Sequence, residues 1–320
     1  MRITNRYMTN TLINSIQKNM GAIARSQEQL GSGSRLLRPS DDSNVMGQFL
    51  AIKSGLSYIE QYNRNIDDGL SYLDMSDVSM GTLGDILSRA AEYANQAAND
   101  TYNPDDRTAI AEQIDKMIDQ VVDLANSTVG GKYIYAGTKN SNPPFQRDGD
   151  KIIYSGDTNE IRREVLAGTA YRIDSPGITV AGAPGVFGSG DDNGDGTYNV
   201  CDGAAVPAAG TGVFQALFDL RNTLYNNNTA GIQNSMGKLQ QEMDALLGYR
   251  VQVGARANHF ETLQGMLLDQ ELKLTENLKN IEGANMARLS IEYGQQLLSY
   301  EAALAAGAKI LQTSLLDFLR

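Results

Sequence analysis

The fold is decided by one stretch, residues 52–98, which reads IKSGLSYIEQYNRNIDDGLSYLDMSDVSMGTLGDILSRAAEYANQAA. Apolar or small residues recur in it at alternating intervals of four and three, from Ile52 to Ala98. Sustained over more than six heptads, this spacing is typical of a coiled-coil seam rather than of a globular helix. We therefore predict a long helix whose seam begins with Ile52, Leu56, Ile59, Ile66, Leu70 and Leu73.

A second long seam lies towards the C-terminus. Helical patterns occur at residues 213–225 and 230–247, and a longer run starts near Gly254. The seam of that run includes Leu267, Leu274 and Leu278. We predict that the two long helices pack together in a bundle. Asn63 and Asp77 interrupt the first seam, either as residues that fix its register or as gaps in it.

Two thinner apolar stripes flank the long helices at the ends of the chain. The first stripe ends at the glycine–serine break of residues 31–34, and Gly283 predicts a similar joint before the second. Because polar residues interrupt both stripes and short isolated helices are marginal in water, we predict that they order only on other subunits. The predicted assembly interface comprises Leu12, Ile16, Ile23, Leu30, Tyr293, Leu297, Tyr300, Leu304, Leu311, Leu315 and Phe318.

The centre of the chain changes from helical to strand-like patterns. Residues 132–136 (KYIYA) alternate like a strand, and residues 152–154 and 171–173 are further short strand candidates. Residues 147–150 (RDGD) carry a hairpin turn signal. We predict a small β-rich surface domain with long loops over residues 141–213.

The predicted fold is mainly α with a small β-rich domain. A discontinuous coiled-coil helical bundle is formed by the N- and C-terminal segments, and the β-rich part is a central insertion. Three domains are predicted: residues 1–40 plus 284–320 as the terminal coiled-coil domain, 41–140 plus 214–283 as the long-helix bundle, and 141–213 as the surface-exposed domain.

Composition and charge exclude several function classes. The formal net charge of −11 opposes binding to duplex nucleic acid, which needs a basic face. Polar residues break every apolar run near the N-terminus, so no secretory signal is predicted there. No stretch approaches the roughly 20 apolar residues of a membrane span. We therefore expect neither nucleic acid nor a membrane as a partner.

An enzyme reading has little support from the residue types. His259 is the only histidine and flanks a seam residue, whereas a catalytic histidine needs an orienting partner and a cleft. Cys201 is the only cysteine and has no nearby histidine to support a thiolate. We therefore predict no catalytic residues and no cofactor, with weak calcium binding as the one exception.

An acidic loop in the central segment is the candidate for that calcium site. Asp191, Asn193, Asp195, Thr197 and Asp202 occupy positions 1, 3, 5, 7 and 12 of a twelve-residue calcium loop. Hard oxygen ligands on one loop suit calcium, although an aspartate replaces the usual glutamate at the last position. The alternative interpretation is a solvated surface loop.

Several segments resemble the flagellin superfamily of bacterial flagellar axial proteins. At the N-terminus these are residues 2–4 (RIT), 29–33 (QLGSG) and 38–42 (RPSDD). Residues 131–138 (GKYIYAGT) and the ending 314–319 (SLLDFL) are similar to the junction subunits of that family. The resemblance covers both ends of the chain and leaves the central segment unmatched.

This resemblance implies a structural role between the flagellar hook and the filament. The implied partners are hook-associated protein 1, flagellin, other copies of the chain, and an export chaperone on the C-terminal helix. The implied location is the extracellular flagellum, reached through the flagellar type III export channel. Two alternatives stay open: a minor filament flagellin, and a secreted coiled-coil interaction protein or effector.

Overall fold

The computed structural model describes residues 2–38, 42–99, 102–179, 185–192, 197–202 and 212–318. Six helices run through these residues: α1 Arg2–Ser32, α2 Ser43–Ala97, α3 Pro104–Ala125, α4 Val213–Tyr225, α5 Thr229–Glu282 and α6 Met286–Phe318. The strands are β1 Thr128–Val129, β2 Lys132–Tyr133, β3 Phe145–Asp148, β4 Lys151–Tyr154, β5 Arg162–Leu166, β6 Thr169–Arg172, β7 Ile178–Thr179, β8 Gly188–Ser189, β9 Asp191–Asp192 and β10 Tyr198–Asp202. The predicted class, mainly α with a small β-rich region, is confirmed.

The chain packs as two compact units. The first comprises residues 1–59 with 268–320, and the second comprises residues 60–267. The first is built from the two ends of the chain, as the sequence pattern predicts. The finer division into three domains stays a prediction.

In the first unit, α1 and α6 pack against each other in antiparallel directions. The Ser26 hydroxyl, near the C-terminal end of α1, donates a hydrogen bond of 2.8 Å to Oε1 of Gln296. Further along, Leu12 lies against Gly307, where an added Cβ would approach the leucine Cδ2 to 2.7 Å. Residue numbers thus fall on one helix as they rise on the other.

Both predicted glycine joints meet at one point, which we call the joint bridge. Ser34 and Gly283 form an isolated antiparallel β-bridge. The Arg35 amide donates a 2.7 Å hydrogen bond to the Glu282 carbonyl, and a second backbone bond of 3.1 Å crosses the same bridge. A Cβ at Gly283 would lie 2.6 Å from the Lys279 carbonyl oxygen, so this position has no room for a side chain.

The second unit contains the antiparallel contact between α2 and α5. Gly69 faces Phe260, and Gly84 faces Leu246, so glycines let the two helices approach closely. In the same unit α3 packs against α4. One prediction in this region is wrong: the helical patterns of residues 230–247 and of the run from Gly254 belong to a single helix. Helix α5 runs without a break through Gly248, because one interior glycine costs only about 1 kcal/mol and the buried apolar residues outweigh it.

The β-rich region of the second unit contains a four-stranded sheet in the order β3-β4-β10-β9. The predicted turn is confirmed, since β3 and β4 pair around Gly149, whose φ of 61° suits glycine. The predicted strand 132–136 is shorter than expected. Only its first two residues pair, with β1, because Ile134 and Tyr135 are buried in the core instead. The rest is the β5–β6 hairpin and the parallel β7–β8 pair.

No helix of the described residues combines the length and apolar character that crossing a membrane requires.

Candidate assembly surfaces

The apolar stripe of α1 packs against α6 but remains half-buried. Leu12, Ile16, Ile23 and Leu30 each keep part of their side chain exposed. A two-helix pair has no third element to close over its contact face, so partial burial follows from the architecture. The stripe is therefore placed where a further helix could complete its burial.

The row of α6 that faces α1 differs by one residue from the predicted stripe. Leu289 and Gly307 are buried, and Gln296 bonds to α1. The predicted Tyr293 and Tyr300 lie on this row and are half-buried. The predicted stripe contains only apolar and aromatic residues, but the row that faces α1 also contains a glycine and a glutamine. Every second position of the predicted stripe is therefore wrong by one residue. The side chains of Leu311, Leu315 and Phe318 lie outside the described residues.

The predicted interface residues Leu297 and Leu304 do not face α1. With Ile291 and Leu298 they form an apolar surface on the far side of α6, which we call the outer α6 face. Leu297 is 39% exposed and Leu304 is 45% exposed. Ile291 and Leu298, which sequence reasoning missed, are 63% and 66% exposed. The signal that would have found them is their seven-residue spacing, which places both on one side of a helix.

The predicted bundle seam is mostly buried in the second unit and mostly half-buried in the first, with Leu70 and Ile59 as the respective exceptions. Ile66 and Leu73 are completely buried in the second unit. The predicted seam residues that are buried are Ile59, Ile66, Leu73 and Leu267, and those that are half-buried are Ile52, Leu56, Leu70, Leu274 and Leu278. The half-buried residues of the first unit belong to α2 and α5 segments that lack the cover of α3 and α4.

The alternate positions of the α2 seam also differ from the prediction by one residue. Ser76 and Leu83 are buried where the heptad grid placed Asp77 and Gly84. The reason is that α5 is not the only neighbour of α2: the Tyr135 hydroxyl donates to the Ser76 carbonyl oxygen at 3.4 Å. Because α2 has more than one neighbour, its buried residues differ from those that a seam between two helices alone would bury.

Asp77 lies at the edge of the α2–α5 contact as half of an ion pair. Its two carboxylate oxygens accept hydrogen bonds of 2.9 and 3.1 Å from Arg250. These bonds to Asp77 raise the pKa of the Arg250 guanidinium. A bidentate pair fixes both distance and orientation, so it joins the helices in one register.

Comparison with known proteins identifies the group to which these helices belong. The family model for the bacterial flagellin N-terminal helical region matches residues 3–140, which include α1, α2 and α3. The N-terminal part of the chain is therefore similar to bacterial flagellins. The match agrees with the resemblance that the N-terminal motifs carry.

Two relatives align with this chain over nearly its whole length. It is 25% identical to the flagellar hook-associated protein 3 of Escherichia coli K12, over 91% of this chain and 93% of the relative. It is 24% identical to the protein of the same name from Salmonella typhimurium LT2, over 95% of each chain.

Solved structures support the same fold. A putative flagellar hook-associated protein from Vibrio parahaemolyticus matches with a TM-score of 0.62 and 16% identity, over 76% of this chain and 100% of that one. A FlgL protein from Xanthomonas campestris matches with a TM-score of 0.55 and 22% identity, over 71% of this chain and 99% of that one. At these identities the likeness concerns the fold alone.

A charged cluster attaches the β3–β4 hairpin to helices α3 and α4. Arg147 of β3 and Arg221 of α4 both donate to Oδ1 of Asp115 on α3, at 2.6 and 2.9 Å. Burial alone would raise the pKa of the Asp115 carboxyl, but the hydrogen bonds from the two guanidinium groups outweigh it and lower that pKa. The ring of Phe218 lies beside both guanidinium groups.

The two residues weighed as catalytic candidates have ordinary surroundings. His259 is exposed, and its ring contacts the Tyr171 ring edge-on at 4.9 Å between centroids. Cys201 is buried in β10, with its Sγ 3.3 Å from Oε1 of Gln215. Among the residues that the structure describes, no group of His, Cys, Asp and Glu could hold a metal ion.

The segment predicted to bind calcium includes two paired strands. Asp191 of β9 pairs with Asn199 of β10, while Asp202 pairs with Lys151 of β4. Asp202 therefore lies roughly 10 Å along the strand from the partner of Asp191. This pairing does not support a calcium loop that closes on Asp202.

Of the other three predicted ligands, only Thr197 is described, and it is half-buried. Asn193 and Asp195 lie outside the described residues. Calcium binding through them stays a prediction.

Proposed function

We propose that this chain is a structural subunit of the bacterial flagellum that joins the hook to the filament. Two hook-associated proteins 3 align with it from end to end, and the N-terminal flagellin region accounts for its first three helices. A junction requires a subunit that packs axially through its terminal helices. The two-helix construction of the first unit suits that role.

The outer α6 face is the single observation that carries the proposal. A pair of helices buries one face of each partner, so a second apolar face on α6 remains in contact with water until another subunit covers it. Each fully buried leucine or isoleucine contributes roughly 1.5–3 kcal/mol. Covering Ile291 and Leu298, which are both more than 60% exposed, therefore supplies a driving force for assembly.

The partners follow from this role. We propose contacts with hook-associated protein 1 on one side, flagellin on the other, and neighbouring copies within the junction layer. Before assembly, a small helical chaperone would cover α6, the helix with the exposed apolar face. The chain would leave the cell through the flagellar type III channel and remain in the extracellular flagellum. We propose a structural role with no catalytic step.

A deletion strain complemented with variants tests the function. We expect the deletion to abolish motility, leave hooks bare and release flagellin into the medium, and the unaltered chain to restore all three. Leu298→Asp places a charge on the outer α6 face and should fail to restore them. Ser299→Asp adds the same charge to the neighbouring exposed residue and should succeed.

Two outcomes would contradict the proposal. Full motility in the deletion strain would favour a secreted interaction protein or effector instead. Long filaments assembled from the purified chain alone would favour a minor flagellin, because a junction subunit should not polymerise indefinitely. Circular dichroism of both variants checks that the helices are retained.

A further inference from the structure

A polar cavity of about 850 Å³ lies beside the joint bridge, entirely within the first unit. It is bordered by the end of α1, the segment after it, the end of α5 and the start of α6. Three arginines line it, together with asparagines, glutamines and a single glutamate. The charged residues of its lining are Arg25, Arg35, Arg288 and Glu292.

Two of these arginines, Arg35 and Arg288, have hydrogen-bonding capacity beyond their contacts with carboxylates of the chain. The Arg288 Nε donates to Glu292 at 2.9 Å, and Arg35 lies 3.9 Å from the nearest oxygen of Asp42. A guanidinium carries five N–H donors, so a single carboxylate partner leaves several of them for a ligand. The first residues of α6 line the same cavity, and the N-terminal end of a helix adds positive potential.

The charges of the chain are unevenly divided between its two units. Residues 1–59 and 268–320 together hold 12 basic and 10 acidic residues, a net charge of +2. Residues 60–267 hold 15 basic and 28 acidic residues, a net charge of −13. One copy therefore offers a basic cavity in its first unit and an excess of carboxylates on its second.

We propose that the joint cavity binds carboxylate side chains from the second unit of another copy of this chain. The fork of N–H donors on arginine matches the two oxygens of a carboxylate, so the chemistry favours Asp and Glu as ligands. The cavity and the acidic surface are different parts of one molecule. Such heterologous contacts repeat from copy to copy and generate rings or helical layers.

The choice of partner rests on the proposed junction function, in which copies lie side by side. The carboxylate chemistry does not rest on it, because it follows from the lining residues alone. The two can therefore fail separately: the cavity is tested with purified protein, whereas the junction function is tested by complementation of the deletion strain.

The first measurement is binding of a fluorescein-labelled hexaglutamate peptide to the full chain, by fluorescence anisotropy. The variant Arg25→Glu with Arg288→Glu reverses two charges of the cavity. The matched control, Arg38→Glu with Lys273→Glu, makes the same change in net charge at exposed positions of the first unit that do not line the cavity. We expect the cavity variant to weaken binding about ten-fold or more, since hydrogen bonds to charged groups are strong. The control should bind like the unaltered chain.

Two further arms test whether the attraction is electrostatic and whether a second copy is the source of the carboxylates. Affinity for the peptide should fall between about 0.01 and 0.1 M salt, where the screening length shortens from about 30 to about 10 Å. Sedimentation velocity at low salt should show concentration-dependent association of the unaltered chain that the cavity variant loses and the control retains. Arg25→Gln with Arg288→Gln removes the charge without adding repulsion, and should also weaken both.

Three results would overturn the proposal. The first is an unaltered chain that does not bind the peptide at low salt. The second is equal weakening by the cavity variant and its control, which would mean non-specific attraction. The third is peptide binding that depends on the cavity while association of the chain is absent or unchanged by the variants, which would refute the second copy as the ligand. Circular dichroism of each variant confirms that helix content is retained.

Discussion

The close contact between α2 and α5 at Gly69 gives a prediction whose magnitude the structure supplies. A Cβ at this position would lie 2.6 Å from Cε1 of Phe260 and 3.1 Å from Cγ2 of Ile173. Both side chains are almost completely buried, so neither can move without displacing its neighbours. Forcing an extra carbon into a packed core costs about 1–3 kcal/mol. Gly69→Ala should therefore lose that stability, less the helix-propensity gain of replacing glycine.

A control on α5 isolates the steric cost. Gly265 is exposed in the interior of that helix, and an added Cβ there meets nothing within 4 Å. Gly265→Ala should gain about 0.4–1 kcal/mol, because alanine favours the helix and restricts the unfolded chain. The same gain applies at Gly69, so the difference between the two variants, about 1–3 kcal/mol, is the cost of overpacking alone.

The measurement is thermal unfolding followed by circular dichroism at 222 nm. For a unit of about this size, each kcal/mol displaces the melting temperature by about 2–4 °C, so the two variants should differ by several degrees. Gly69→Ala combined with Phe260→Leu should recover part of the loss, because the smaller side chain vacates the clash. If Gly69→Ala melts with or above Gly265→Ala, the α2–α5 distance described here is wrong.

Three further predictions concern charge, seam and metal. Because the pKa of the Asp115 carboxyl is lowered in the folded chain, its contribution to stability is present above the unfolded pKa of about 3.9 and is lost as pH falls through the folded pKa. Asp115→Asn should therefore reduce the loss of stability at acidic pH in a pH–stability profile, whereas the surface variant Asp244→Asn should not. Leu73→Asp should destabilise more than Leu70→Asp, and Ser57→Asp least, in urea unfolding, because burial decreases in that order and a buried unpaired charge is costly; equal effects would contradict the described register. If the acidic loop binds calcium, about 1 mM calcium, a concentration typical of weak extracellular sites, should raise the melting temperature above its value with chelator, and identical melting curves would contradict that prediction.

The long helices were predictable because their buried residues recur at the same seven-residue spacing over many turns. Every seventh residue from Ile59 to Ala94 is buried, which the heptad pattern locates from sequence alone. The joints were predictable as well, since Gly33 takes a φ of 70° and Gly283 has no room for a side chain. These positions carry strong local signals that tertiary contacts do not override.

The alternate rows of the helices were less predictable, for a physical reason. A heptad pattern assumes one partner, but α2 has more than one neighbour, and α6 meets α1 through Gln296 and Gly307. Apolar residues such as Leu298 are consequently outside the pair. The sequence alone cannot distinguish an apolar residue buried within the chain from one reserved for another subunit, because both look the same.

The pairing of α1 with α6 also determines when the first unit can form. The two helices are separated by more than 250 residues of chain, so at about 5–20 residues per second α1 waits roughly ten to fifty seconds during synthesis before α6 exists. The second unit, residues 60–267, is complete before that moment. Asn19 and Ser26, which interrupt the apolar stripe of α1, thereby lower the risk that the waiting helix aggregates on the ribosome-bound chain.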